Sequence, residues 1–116
     1  MNSKTLILVT RNSLGTVSAG DEPFGTEMLD KFFHTIESRT EKPHAICFYT
    51  EGAKVVCEGS PHILSLKLLE GLGVKLVTCQ TCLNHYGIAD QVAVGGTGGM
   101  VEIIELIEQA TKVITV

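Results

Sequence analysis

Short, nearly continuous apolar runs alternate with helical patterns from one end of this chain to the other, and that alternation leaves few folds open. Lys4 to Thr10 (KTLILVT) reads as a strand buried on both faces. A polar, glycine-bearing loop follows, Arg11 to Asp21. From Glu22 to about Ser38, Met28, Leu29, Phe32, Phe33 and Ile36 recur at helical spacing, with Glu27, Asp30, Lys31 and Glu37 opposite. Asp21, Glu22 and Pro23 make a sound helix start. Beyond Pro43, Ala45 to Tyr49 (AICFY) is the second strand. Ser60 supplies an N-cap and Pro61 a first helical residue for a helix running to Leu72.

Val74 to Thr78 (VKLVT) is the third strand, Leu83 to Tyr86 a helical turn closed by Gly87, and Gln91 to Val94 a short fourth strand. After the glycine cluster Gly95 to Gly99, a helix runs to about Ala110. Its Met100, Val101, Ile103, Ile104, Leu106 and Ile107 are expected to face inward. Lys112 to Val116 (KVITV) closes the chain as a fifth strand. Strands joined by helical crossovers give an α/β fold, a three-layer α/β/α sandwich around a mainly parallel five-stranded sheet. With 116 residues and 44% hydrophobic content, residues 1–116 are expected to form a single domain with a genuine core. Ligand chemistry in such sheets gathers at the carboxyl ends of the strands, so the loops after Thr10, Tyr49, Thr78 and Val94 should share one edge.

Charge narrows the function. Nine Lys and Arg against 13 Asp and Glu give a net −4, and the basic residues are scattered, so no phosphate-neutralising face for nucleic acid is expected. Aromatics at 5%, without Trp, argue against a stacking platform for single strands. No run approaches the roughly 18 apolar residues of a membrane span, and the opening MNSKTLILVTRNS is too short and too quickly interrupted for a signal peptide. The expected setting is the cytoplasm, where thiols stay reduced.

Four cysteines then need a reason other than disulfides. Cys47 lies inside the apolar AICFY strand and reads as core. Cys57 follows Lys54-Val55-Val56 and is open to either a core or an edge role. Cys79 and Cys82 form a C-x-x-C directly after a strand, where a helix start would draw a thiol toward thiolate and place a second thiol one turn away. A C-x-x-C in such a chain reads as redox or sulfur chemistry; two buried small side chains are the plainer alternative. Cys79, Cys82 and His85, with Cys57 or His62, have the right elements for zinc, but a structural site usually shows two paired ligand sets. The His of a c-type haem motif is missing, because Leu83 follows Cys82. The glycine cluster matches neither the P-loop nor the dinucleotide fingerprint. No cofactor and no metal is expected. His85 and Lys54 are candidate electrostatic helpers, His62 lies near an edge loop, and His34 and His44 read as solvated or loop residues.

The strand LILVT, Gly20-Asp21-Glu22 leading through Phe24-Gly25 into Met28-Leu29, Gly52-Ala53-Lys54 with Glu58-Gly59-Ser60, Cys79-x-Thr81-Cys82-Leu83 with Tyr86-Gly87, and the closing Lys112-Val113-Ile114 together resemble the DsrE-like family of sulfur-relay proteins. The resemblance is nearest to the C-terminal DsrE-like domain of the YedF proteins linked to selenium metabolism, and it covers essentially the whole chain. It implies a persulfide-carrying cysteine at Cys79, with Cys82 matching a second cysteine of the YedF-like branch. It also implies sulfur donor and acceptor proteins as partners and a homo-oligomer, trimeric or hexameric. Two features depart from that pattern: no small N-terminal carrier domain precedes Lys4, and the Arg11–Asp21 loop is long, with Ser18-Ala19 added. The expected function is sulfurtransferase-like carriage of sulfur, or selenium, on Cys79. The alternatives are a binding module with structural cysteines and a thiol-disulfide redox protein.

Overall fold

A computed structural model describes residues 1–116. Its strands are β1 (Thr5–Val9), β2 (Ala45–Phe48), β3 (Lys75–Cys79), β4 (Gly96–Gly98) and β5 (Lys112–Thr115); its helices are α1 (Glu22–Ser38), α2 (Ile63–Gly71), α3 (Gln80–Tyr86) and α4 (Met100–Gln109). The five strands form one sheet in the order β4-β3-β2-β1-β5, and every pairing is parallel. This is the expected α/β sandwich.

Period-2 alternation sorts the strand residues between two layers. Ile7, Val9, Ile46, Phe48 and Leu76 join Leu29, Phe33 and Ile36 of α1 and Leu66 and Leu69 of α2. Leu6, Leu8, Ala45, Cys47, Val77 and Cys79 join Ile103 and Leu106 of α4 on the other face. Strands covered on both faces cannot alternate polar with apolar, which is why they read as continuous apolar runs.

Three expectations need correction. The fourth strand is not Gln91–Val94 but the glycine segment Gly96–Gly98. The apolar residues before it are tied elsewhere: Val92 bridges Cys57, the Ala93 amide donates to the Val56 carbonyl, and Val94 is buried. Gly95, at φ 77°, lets the chain reach β3, since a Cβ there would lie 2.8 Å from that of Leu76. Next, α2 starts at Ile63 with His62 at its N-cap, and the Ser60 hydroxyl only accepts from the His62 amide. Finally, α4 buries just Ile103 and Leu106 fully, while Met100, Val101 and Ile104 stay 50%, 74% and 46% exposed. One helix laid on a sheet can bury only a stripe of its surface, whatever its total apolar content.

A 3-10 segment that no sequence pattern marks, Thr50–Val56, follows β2 and packs Ala53, Val55 and Val56 into the core.

Candidate functional site

β3 carries Cys79 to the carboxyl edge of the sheet. Its pairing with β2 ends at Phe48↔Thr78, so Cys79 has only the edge strand β4 beside it, opposite Gly98. The chain turns into α3 at the next residue, leaving Cys79 as N-cap with φ −64° and ψ 118°. An N-cap side chain faces the unpaired amides of the second and third helical residues, here Thr81 and Cys82.

No close cap bond is made to the neutral thiol. Burial, with 3% of the residue exposed, is the largest single influence on Cys79 and alone would raise its pKa. The Cys82 amide and thiol and the Thr81 amide and hydroxyl together outweigh it, and the Cys79 pKa falls below the ordinary thiol value.

Cys82 is half-buried and packs against both core layers. Burial pushes its thiol up, and the neighbouring Cys79 adds to this against the opposing pull of the Thr50 amide. That amide donates to Cys82 Sγ at 3.0 Å. The pair is therefore asymmetric: the surroundings favour the thiolate at Cys79 and disfavour it at Cys82.

Thr50 was not singled out by the sequence. It is the non-glycine residue with positive φ, 51°, an uncommon conformation for a β-branched side chain. Gly52 helps to hold it there. A Cβ on Gly52 would lie 2.0 Å from the Val9 carbonyl oxygen, so the segment rests directly on the end of β1. Tyr49 donates to that same oxygen at 3.1 Å, and Gly52 donates to the Tyr49 carbonyl at 3.0 Å. The Thr50 amide is thus aimed at Cys82 by backbone packing, which no motif search on side chains would find.

The remaining candidates divide clearly. Cys57 is buried, its thiol donates to the Ala53 carbonyl at 3.5 Å, and burial raises its pKa. His62 is drawn into the core, its ring against Phe33 and its Nδ1 3.8 Å from Asp30. His85 stacks edge-on against Tyr86, and Lys54 Nζ sits 4.4 Å over the Tyr86 ring. Both lie at the far end of α3 from Cys79 and do not figure among the groups that shift it. The C-x-x-C-x-x-H spacing does not close into a cluster of three metal-ligating side chains. No helix is long and apolar enough to cross a membrane. A groove of about 390 Å³ lined by Thr10, Arg11, Thr16, Thr50 and Glu51 opens at the same edge.

No curated protein matches the chain by sequence. Among solved structures, MTH1491 of Methanobacterium thermoautotrophicum, a protein of unknown function, aligns with a TM-score of 0.70 at 15% identity over 97% of both chains. The ychN protein from E. coli aligns at 0.63 and 18% identity over the full length of both. BT1422 of Bacteroides thetaiotaomicron, also of unknown function, aligns at 0.65 and 16% identity over 97% of this chain and 95% of its own. At such identities these structures share the fold. The model of the DsrE/DsrF-like family matches residues 5–116, from β1 to the end of the chain, and the chain belongs to that family.

Proposed function

We propose that the chain is a sulfur-relay protein that carries sulfane sulfur as a persulfide on Cys79. The observation that carries this reading is the place of Cys79 at the N-cap of α3 on the carboxyl edge of the sheet, facing the unpaired amides of the first helical turn, with its pKa lowered in keeping with that position. A thiolate is the form that attacks sulfur, and this is the cysteine whose surroundings favour it. In the loading step Cys79 Sγ attacks the terminal sulfur of a donor persulfide. The donor S–S bond breaks, a Cys79–S–S bond forms, and the donor leaves as its thiolate, so no external oxidant or reductant is needed. The donors that favour the thiolate are equally suited to the persulfide anion.

Membership of the family supports this reading. A site of this form suits passing one atom between protein partners in the manner of the YedF-like branch, with sulfur or selenium as cargo. A homo-oligomer would cover the exposed Met100, Val101 and Ile104 of α4. The rival reading makes the cysteines structural within a binding module.

Incubation with glutathione persulfide followed by intact mass spectrometry separates the two. The expected loaded species, read in the Cys82→Ser chain in which the sulfur stays where it lands, is about 32 Da heavier, one added sulfur, and adding Cys79→Ser abolishes it. An adduct that persists without Cys79 overturns the assignment, and a chain that neither gains sulfur in Cys82→Ser nor releases sulfide as wild type favours the binding module.

A further inference from the structure

The carrier reading leaves Cys82 without a task. It sits in the first turn of the helix that Cys79 caps, and the Thr50 amide meets its sulfur from the opposite element at 3.0 Å. A thiol that only filled space would need no amide aimed at it, least of all one delivered by a threonine held at φ 51°. The Thr50 N–H is placed to stabilise negative charge on Cys82 Sγ as its proton leaves, against the burial that otherwise keeps the thiol protonated, and Cys79 is within one helical turn. Cys82 is also the more exposed member of the pair.

We propose that Cys82 resolves the Cys79 persulfide, releasing hydrogen sulfide and closing a Cys79–Cys82 disulfide, so that the chain has a reductive exit for its sulfur besides transfer to an acceptor. Cys82 Sγ attacks Cys79 Sγ, the inner sulfur, because that atom keeps its place after loading. The bond between Cys79 Sγ and the outer sulfur breaks, and the outer sulfur departs with its electron pair and the Cys82 proton as HS⁻. The persulfide sulfur is reduced to sulfide and the two cysteines are oxidised to the disulfide, which balances without an outside reagent. A second turnover requires a dithiol reductant to reopen the disulfide. This rests on Cys79 being the loaded residue.

The test loads the full chain with glutathione persulfide without oxygen, removes excess donor by desalting, and follows intact mass and bimane-trapped sulfide in thiol-free buffer. The expected wild-type product is about 2 Da lighter than the reduced chain, with about one equivalent of sulfide. Cys82→Ser and Cys82→Ala should hold the added sulfur and release less than about a tenth as much sulfide in the same time. A wild-type chain that keeps the sulfur on Cys79, or moves it intact to Cys82, overturns the resolving step while leaving the carrier reading in place. That result needs no variant to fold. Uptake of sulfur by Cys79→Ser, or no uptake by wild type, overturns the carrier reading and this inference with it.

Discussion

Cys47 and Cys79 lie in the same packed layer, under α4, yet their thiols are driven in opposite directions. They are almost equally hidden from solvent, 0% and 3% exposed. Cys47 stands opposite Val77 in the β2–β3 register, so Cys79 is two residues further along the same face. The difference lies in what the backbone has left over. In the middle of β2 the flanking amides are engaged with β1 and β3, and burial, with the Glu102 carboxylate adding to it, pushes Cys47 up to about 11. At the end of β3 the ladder stops and a helix begins, so amides without ladder partners face the sulfur. Burial alone therefore does not silence a cysteine; burial inside a completed hydrogen-bond ladder does.

The sharpest way to break this comparison is to titrate both thiols by thiolate ultraviolet absorbance, taking differences between wild type and Cys79→Ser and between wild type and Cys47→Ala. Thiolate accumulates as pH rises through a thiol's pKa. Cys79 should reach half-ionisation below pH 9.0 and Cys47 near pH 11. At pH 8 that is a thiolate fraction at least roughly 100-fold greater at Cys79. Coincident midpoints would mean that the end of the strand confers nothing on its cysteine.

Gly52→Ala tests whether the edge is held in place by the 3-10 segment. The new Cβ would meet the Val9 carbonyl oxygen at 2.0 Å and the Val9 carbonyl carbon at 2.7 Å, both backbone atoms that cannot swing aside. The segment must lift from β1, at a cost of about 3 kcal/mol in unfolding free energy. As it lifts, the Thr50 amide leaves Cys82, and the Cys82 pKa should rise further while the Cys47 midpoint stays fixed. Denaturant unfolding and the same absorbance titration read both effects. A variant as stable as wild type, or one in which Cys47 moves as much as Cys82, would show that edge and mid-sheet thiols do not depend on different supports.

The two regions also differ in how far the sequence revealed them. The sheet and its two layers were legible because burial on both faces leaves uninterrupted apolar runs such as LILVT and AICFY. The Cys79–Cys82 pair was legible because a strand leads straight into it. The edge around the pair was not, since its supports are backbone groups: a threonine amide at positive φ and a glycine chosen for close approach to β1. The fourth strand was missed for the same reason. Gly96–Gly98 has no apolar signature and pairs only because small residues let it approach β3, whereas Gln91–Val94 looked more like a strand and was held by irregular contacts.

Thr50 sharpens the comparison at the level of a single residue, with the smallest expected effect. Its side chain is exposed and its hydroxyl makes no hydrogen bond, so the strain of φ 51° is not repaid locally by the side chain. Asn tolerates this conformation far better than a β-branched residue does. Thr50→Asn should therefore raise stability by up to about 1 kcal/mol. The backbone N–H on Cys82 Sγ is retained, so Cys82 and Cys79 should titrate as in wild type. Thermal unfolding and the absorbance titration read the two outcomes separately. A gain in stability with unmoved thiols places the strain in the threonine side chain and the function in the amide. If instead the thiols shift while stability holds, the tightness of the Thr50 conformation itself tunes the pair, and the edge differs from the middle of the sheet in strain as well as in free donors.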